Sequence, residues 1–116
     1  MINTISDQQS AGILIAGVGQ LGSRYLQGLA NCQNTLDIYV QDISKQSLQI
    51  AKQRWEDACQ TTLSVSGVSN YPSYHNQITF VSSFDKLPKE IDIAIVATNA
   101  DHRPQVVKQI AAKCDV

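Results

Sequence analysis

The sequence predicts a three-layer α/β fold, with helices on both faces of a mostly parallel sheet. Three observations predict it. Short apolar runs rich in Val and Ile alternate with longer stretches whose apolar residues recur every three or four positions, the pattern of strands joined by crossover helices. The first run, Ile13-Leu14-Ile15-Ala16, passes directly into Gly17-Val18-Gly19-Gln20-Leu21-Gly22, a G-x-G-x-x-G turn between strand and helix. The next apolar run closes on an acidic residue, Asp42, about 20 positions beyond Gly22. Together these are the marks of a Rossmann-type arrangement. The rule of right-handed crossovers then gives the strand order 3-2-1-4, with the first and fourth strands adjacent.

Each element has its own local reason. Met1 to Ser10 is polar and reads as a lead-in to the first strand. Leu21, Tyr25, Leu26 and Leu29 recur at helical spacing, so a helix is expected from Gln20 to Ala30 with these residues on one apolar face. Arg24 on that helix is expected to be solvated. Asn31 to Asn34 is a break, and Leu36 to Gln41, rich in β-formers, is the second strand. Ser44 stands where a helix N-cap belongs. Leu48, Ala51, Trp55, Ala58 and Cys59 mark the buried stripe of a second helix, from Lys45 to Cys59, with Trp55 as a packing residue.

Gln60 to Gln77, with its Ser, Thr, Gly, Asn and Pro72, reads as a loop, and His75 within it as a surface histidine. Ile78 to Val81 is a third short strand. Ser82 to Leu87 reads as a helical turn stopped by Pro88. Asp92 to Ala97 is the strongest strand of the C-terminal half and ends in Thr98-Asn99-Ala100-Asp101-His102. Pro104 suits the first turn of a last helix, where its missing N–H costs little. Val106, Val107, Ile110 and Ala111 give that helix its apolar side, and Cys114 ends it. Asp115-Val116 reads as the beginning of another strand.

At 116 residues, 43% hydrophobic and 16% charged, the whole chain is expected to form one domain with a sizeable core. A formal net charge of -1, with the basic residues scattered, gives no electrostatic footprint for nucleic acid. No apolar run reaches the roughly 18 to 20 residues of a membrane span, and the N-terminus lacks the pattern of a signal peptide. The three cysteines, Cys32, Cys59 and Cys114, are odd in number and far apart, as in the reduced thiols of a cytosolic protein. No His, Cys or carboxylate set has metal-ligand spacing. Nothing in the composition opposes a homo-oligomer.

The glycine turn carries the chemistry. Gly17 lets the backbone leave the strand sharply, and Gly22 lets the following helix pack close to it. Gly19 leaves bare main chain where a pyrophosphate would touch, and the helix amides and dipole favour its charge. The candidate cofactor contacts are therefore Gly17, Val18, Gly19, Gln20, Leu21 and Gly22 for the phosphates. Asp42 and Ile43 are the candidates for the adenosine ribose. Thr98, Asn99 and His102 face them across the crevice beyond the first and fourth strands. For His102 two roles are open, a helix cap or a contact to the cofactor, and no residue is assigned a catalytic role.

With both strands read, the chain resembles the N-terminal domain of the glucose-fructose oxidoreductase / inositol dehydrogenase (Gfo/Idh/MocA) family. The resemblance rests on G-V-G-Q-L-G at Gly17 to Gly22, on Asp42, and on D-I-A-I-V-A-T-N-A-D-H at Asp92 to His102. It spans about residues 12 to 114. That family's fourth strand leads into Thr-Pro and then a histidine. Here Thr98 and His102 are present, with Asn99 in place of the proline. The resemblance implies oxidoreduction at a sugar or cyclitol hydroxyl with NAD or NADP. The family's Glu-Lys-Pro motif and its substrate-binding second domain would lie past Val116. By this resemblance the chain is the cofactor half of an enzyme and should catalyse nothing alone.

A carboxylate at Asp42 would accept hydrogen bonds from both ribose hydroxyls of NAD and repel a 2′-phosphate. No arginine follows directly to compensate, although Lys45 is near, so NAD is expected over NADP. Two other classes share the half-fold. One is a nucleotide-sensing regulatory module without catalysis. The other is an S-adenosylmethionine-dependent methyltransferase, which has the same glycine turn and an acidic residue after the second strand. The Thr98-to-His102 segment argues against the methyltransferase.

Overall fold

The structure, a computed structural model, describes residues 11–30, 36–66 and 77–116. The expected polar lead-in, the break at 31–34, Cys32, and His75 with most of its loop lie outside the described residues.

Four strands form one all-parallel sheet: β1 (Ala11–Ala16), β2 (Leu36–Gln41), β3 (Gln77–Val81) and β4 (Ile93–Val96). Their order is β3-β2-β1-β4, as the crossover rule predicts. The register sets Ile13 of β1 between Ile38 of β2 and Ile93 of β4. Three helices flank the sheet: α1 (Gln20–Leu29), α2 (Lys45–Ser66) and α3 (Arg103–Lys113). Because successive residues of a strand face opposite sides, β1 feeds two cores. Ile13 and Ile15 pack with Leu26, Ala30, Ala51 and Trp55 beneath α1 and α2. Leu14 and Ala16 pack with Ile110 and Cys114 beneath α3. The result is three layers, with Leu14, Ile15 and Ala16 fully buried at the centre.

Several boundaries and faces differ from the sequence-based expectation. Helix α2 runs on to Ser66, through residues expected to be loop. Its Thr, Val and Ser residues are modest helix formers but not breakers, and the first glycine after Lys45 is Gly67. The buried face of α1 is Gly22, Ser23 and Leu26. Leu21 and Tyr25, expected beside Leu26, are 53% and 44% exposed. The cause is Gly22, whose close approach to the turn brings the small-residue side of the helix onto the sheet. Val107 is likewise 48% exposed, while Ile110 of the same helix is buried.

Other expectations hold. Trp55 is buried, Arg24 is exposed, and the Ser44 hydroxyl accepts a hydrogen bond from the Ser47 N–H at 3.1 Å, capping α2. The expected turn before Pro88 is a short 3₁₀ helix, Phe84–Lys86. Cys114 is the C-cap of α3. Asp115 forms a parallel bridge to Glu90, and its carbonyl accepts the Ile91 N–H at 2.9 Å. Among the described residues, no helix is long and apolar enough to cross a membrane.

Candidate functional site

The turn from β1 into α1 is shaped by its glycines, for different reasons. Gly17 has φ +91°, a left-handed conformation that L side chains avoid. A Cβ there would also lie 2.7 Å from Thr98 Cγ2. A Cβ at Gly22 would fall onto the carbonyl oxygen of Gly17. The fold therefore demands both glycines. Gly19 is different, since a Cβ there would meet nothing within 4 Å. It is the N-cap of α1, with no side chain capping the helix. The first amides of a helix have no partner within it, so the uncapped start leaves them facing outward. The turn is tied down beneath: Gly17 N–H donates to Gln41 O at 2.7 Å, and the buried Ser23 hydroxyl to Val18 O at 3.2 Å.

Asp42 follows the end of β2 and is half-buried. Its Oδ2 accepts the Val18 N–H at 2.8 Å and its Oδ1 the Ser44 N–H at 2.8 Å. The carboxylate thus clamps the glycine turn to the start of α2. An ionised carboxylate offers about four lone-pair sites, so about half its accepting capacity remains. Ile43, beside it, is 88% exposed.

The opposite wall comes from the end of β4. Ala97 N–H donates to Ala16 O at 2.8 Å, which carries the ladder as far as Thr98. The Thr98 hydroxyl oxygen is buried with no hydrogen-bond partner among the described residues. Buried polar groups are usually satisfied, so this one asks for a partner beyond the described residues. Arg103 Nη2 donates to Thr98 O at 3.2 Å and steadies the segment from beyond. His102 is the N-cap residue of α3, but its imidazole makes no capping hydrogen bond. Its main chain does the work, with its N–H donating to Asn99 O at 3.0 Å and its carbonyl accepting the Val106 N–H at 3.0 Å. Of the two roles open to His102, it therefore fills the cap position, through its main chain and not its imidazole.

Between these walls lies a cavity of about 550 Å³ at the carboxyl ends of β1, β2 and β4. Seven predicted residues line it: Gly17, Gly19, Asp42 and Ile43 on one side, and Thr98, Asn99 and His102 on the other. Val18, Gln20, Leu21 and Gly22 do not line it. Val18 is buried, with its N–H spent on Asp42, and Gly22 is taken up by the helix–strand approach. The sequence reading missed Gln41, Phe84, Gln105 and Gln109, which also line the cavity. Gln41 was signalled by a polar residue closing an apolar strand, and Gln105 and Gln109 by two amides one helical turn apart. Phe84 gave no local signal.

No Lys or Arg among the described residues lines the cavity, and Asp42 is the one carboxylate that does. Among the described residues, no group of three or more His, Cys, Asp or Glu side chains could hold a metal ion. Cys59 and Cys114 stand apart from the cavity. Burial pushes both thiols up, with Glu56 adding to the effect at Cys59 and Asp115 at Cys114, so neither is primed as a nucleophile. Compared with protein-family models and with curated proteins, the chain matches none.

Proposed function

We propose that this cavity binds a dinucleotide, NAD in preference to NADP, and that the chain is the cofactor-binding part of an oxidoreductase. The observation that carries the proposal is Gly19. No neighbouring atom would meet a Cβ there, so packing does not require a glycine. A pyrophosphate against the main chain at the uncapped start of α1 would use that open space, since the amides and helix dipole favour an anion. Three further features support it. The spare lone pairs of Asp42 suit ribose hydroxyls, Ile43 offers apolar surface at the rim, and the Thr98 hydroxyl at the cavity wall has no partner among the described residues. The preference for NAD follows from charge, because a 2′-phosphate beside Asp42 would find no Lys or Arg lining the cavity among the described residues.

Oxidoreduction at a sugar or cyclitol hydroxyl rests on the resemblance to the Gfo/Idh/MocA family at Thr98-to-His102. When bound, the nicotinamide would supply or accept the hydride, and this chain's part is to bind and orient it. The proposal is tested by calorimetric titration of the purified chain with NAD and NADP. Saturable binding of NAD, with NADP weaker, is expected. Tighter binding of NADP would overturn the preference, and binding of neither would overturn the function.

A further inference from the structure

We propose that the α3 side of this cavity selects a purine carrying an exocyclic amine, and that Gln41 reads it. The proposal rests on the nucleotide reading above and names the base that the site accepts.

Gln41 is 4% exposed, although it lines the cavity. It ends β2 two residues after Tyr39, which packs in the α3 core, so its side chain stands on that same face. Its Nε2 donates to the carbonyl oxygen of Ser82 at 3.1 Å. A carbonyl only accepts, so this bond fixes which way the carboxamide is turned. One of the two N–H groups of Nε2 is spent on Ser82, and Oε1 is left as a pinned acceptor with no donor among the described residues, the second N–H lying beside it. Phe84 and Val106 line the same side and offer a ring and an aliphatic surface to a flat base.

Adenine presents an amine donor at position 6, whereas guanine and hypoxanthine present a carbonyl acceptor there. An amine completes Gln41 Oε1, and a 6-oxo group sets two acceptors against each other in a partly desolvated place. Gln105 and Gln109 also line the cavity, but both are exposed, so solvent leaves either amide group able to fit either pattern. Only the pinned amide discriminates.

The test is to titrate the wild-type chain with NAD and with nicotinamide hypoxanthine dinucleotide, which differ at that group and at the adjoining N1, an acceptor in adenine and an N–H in hypoxanthine. The hypoxanthine analogue is expected to bind about tenfold more weakly or worse, the effect of one mismatched hydrogen bond. Affinities equal within about twofold would overturn the role of Gln41 and leave dinucleotide binding standing; binding of neither would overturn both. In Gln41→Met, which keeps the volume, the ratio of the two affinities should fall toward one, whatever the change in stability. An unchanged ratio would also overturn the assignment. Should that variant fail to fold, the wild-type ratio alone decides.

Discussion

Gly22 and Gly19 stand three residues apart and answer to different demands. The first is a matter of packing. In Gly22→Ala the new methyl meets the Gly17 carbonyl, which is backbone and cannot swing aside. A loss of about 1–3 kcal/mol or more is expected, measured as a lowered urea midpoint. Asp42 joins structure and site in one side chain. Asp42→Ala leaves the Val18 and Ser44 amides without their acceptor. Hydrogen bonds to a charged group are worth roughly 1.5–3 kcal/mol, and a half-buried carboxylate belongs at the lower end. The same variant should bind NAD more weakly and narrow its gap from NADP. Unchanged stability would mean that the clamp between turn and helix carries no weight.

The elements were legible where local chemistry and tertiary packing agree. The start of α2 is such a place, because Ser44 caps it as any serine before an amphipathic stretch would. Ser44→Ala should cost about 1 kcal/mol by chemical denaturation. The end of α2 was illegible, because Thr, Val and Ser are compatible with helix and loop alike. The face of α1 was misread for a different reason. Its large apolar residues suggested one side, and the glycine that sets the helix–strand distance chose another. At the far end of α3, Lys113 pairs with Asp85 of the 3₁₀ helix. The Lys113 ammonium holds the Asp85 carboxyl below its usual range, and Asp85 holds Lys113 above its own. A lowered acid gives stability that is lost as pH falls through its folded value; a raised base gives stability that is lost as pH rises through its folded value. Any contribution of the pair therefore spans the neutral range. Both side chains are largely exposed, so Lys113→Ala should leave the melting temperature at pH 7 nearly unchanged. A large fall would show the pair to matter more than exposed pairs do.

Across the whole molecule, β1 is the structural centre and its carboxyl end is the mouth of the cavity. Leu14 is fully buried between β2, β4 and α3, so Leu14→Ala should cost about 2–5 kcal/mol, a large share of a small domain's stability. The strand order was legible because alternating elements leave few allowed topologies. The first wall of the cavity was legible too, since Gly17, Gly19, Asp42 and Ile43 follow one another closely along the chain. The second wall was legible only as far as Thr98, Asn99 and His102. Phe84 reaches the cavity from beyond β3, and Gln105 and Gln109 from a helix whose rotation the sequence leaves open. The central claim, that bare main chain at Gly19 receives a dinucleotide's phosphates, is tested most directly by titrating NAD into the wild-type chain and into Gly19→Ala, with the urea midpoint of each measured alongside. The expected result is a midpoint lowered by no more than the roughly 1 kcal/mol of an N-cap change, with NAD binding abolished or weakened by about tenfold or more; equal NAD affinity in the two proteins would contradict it.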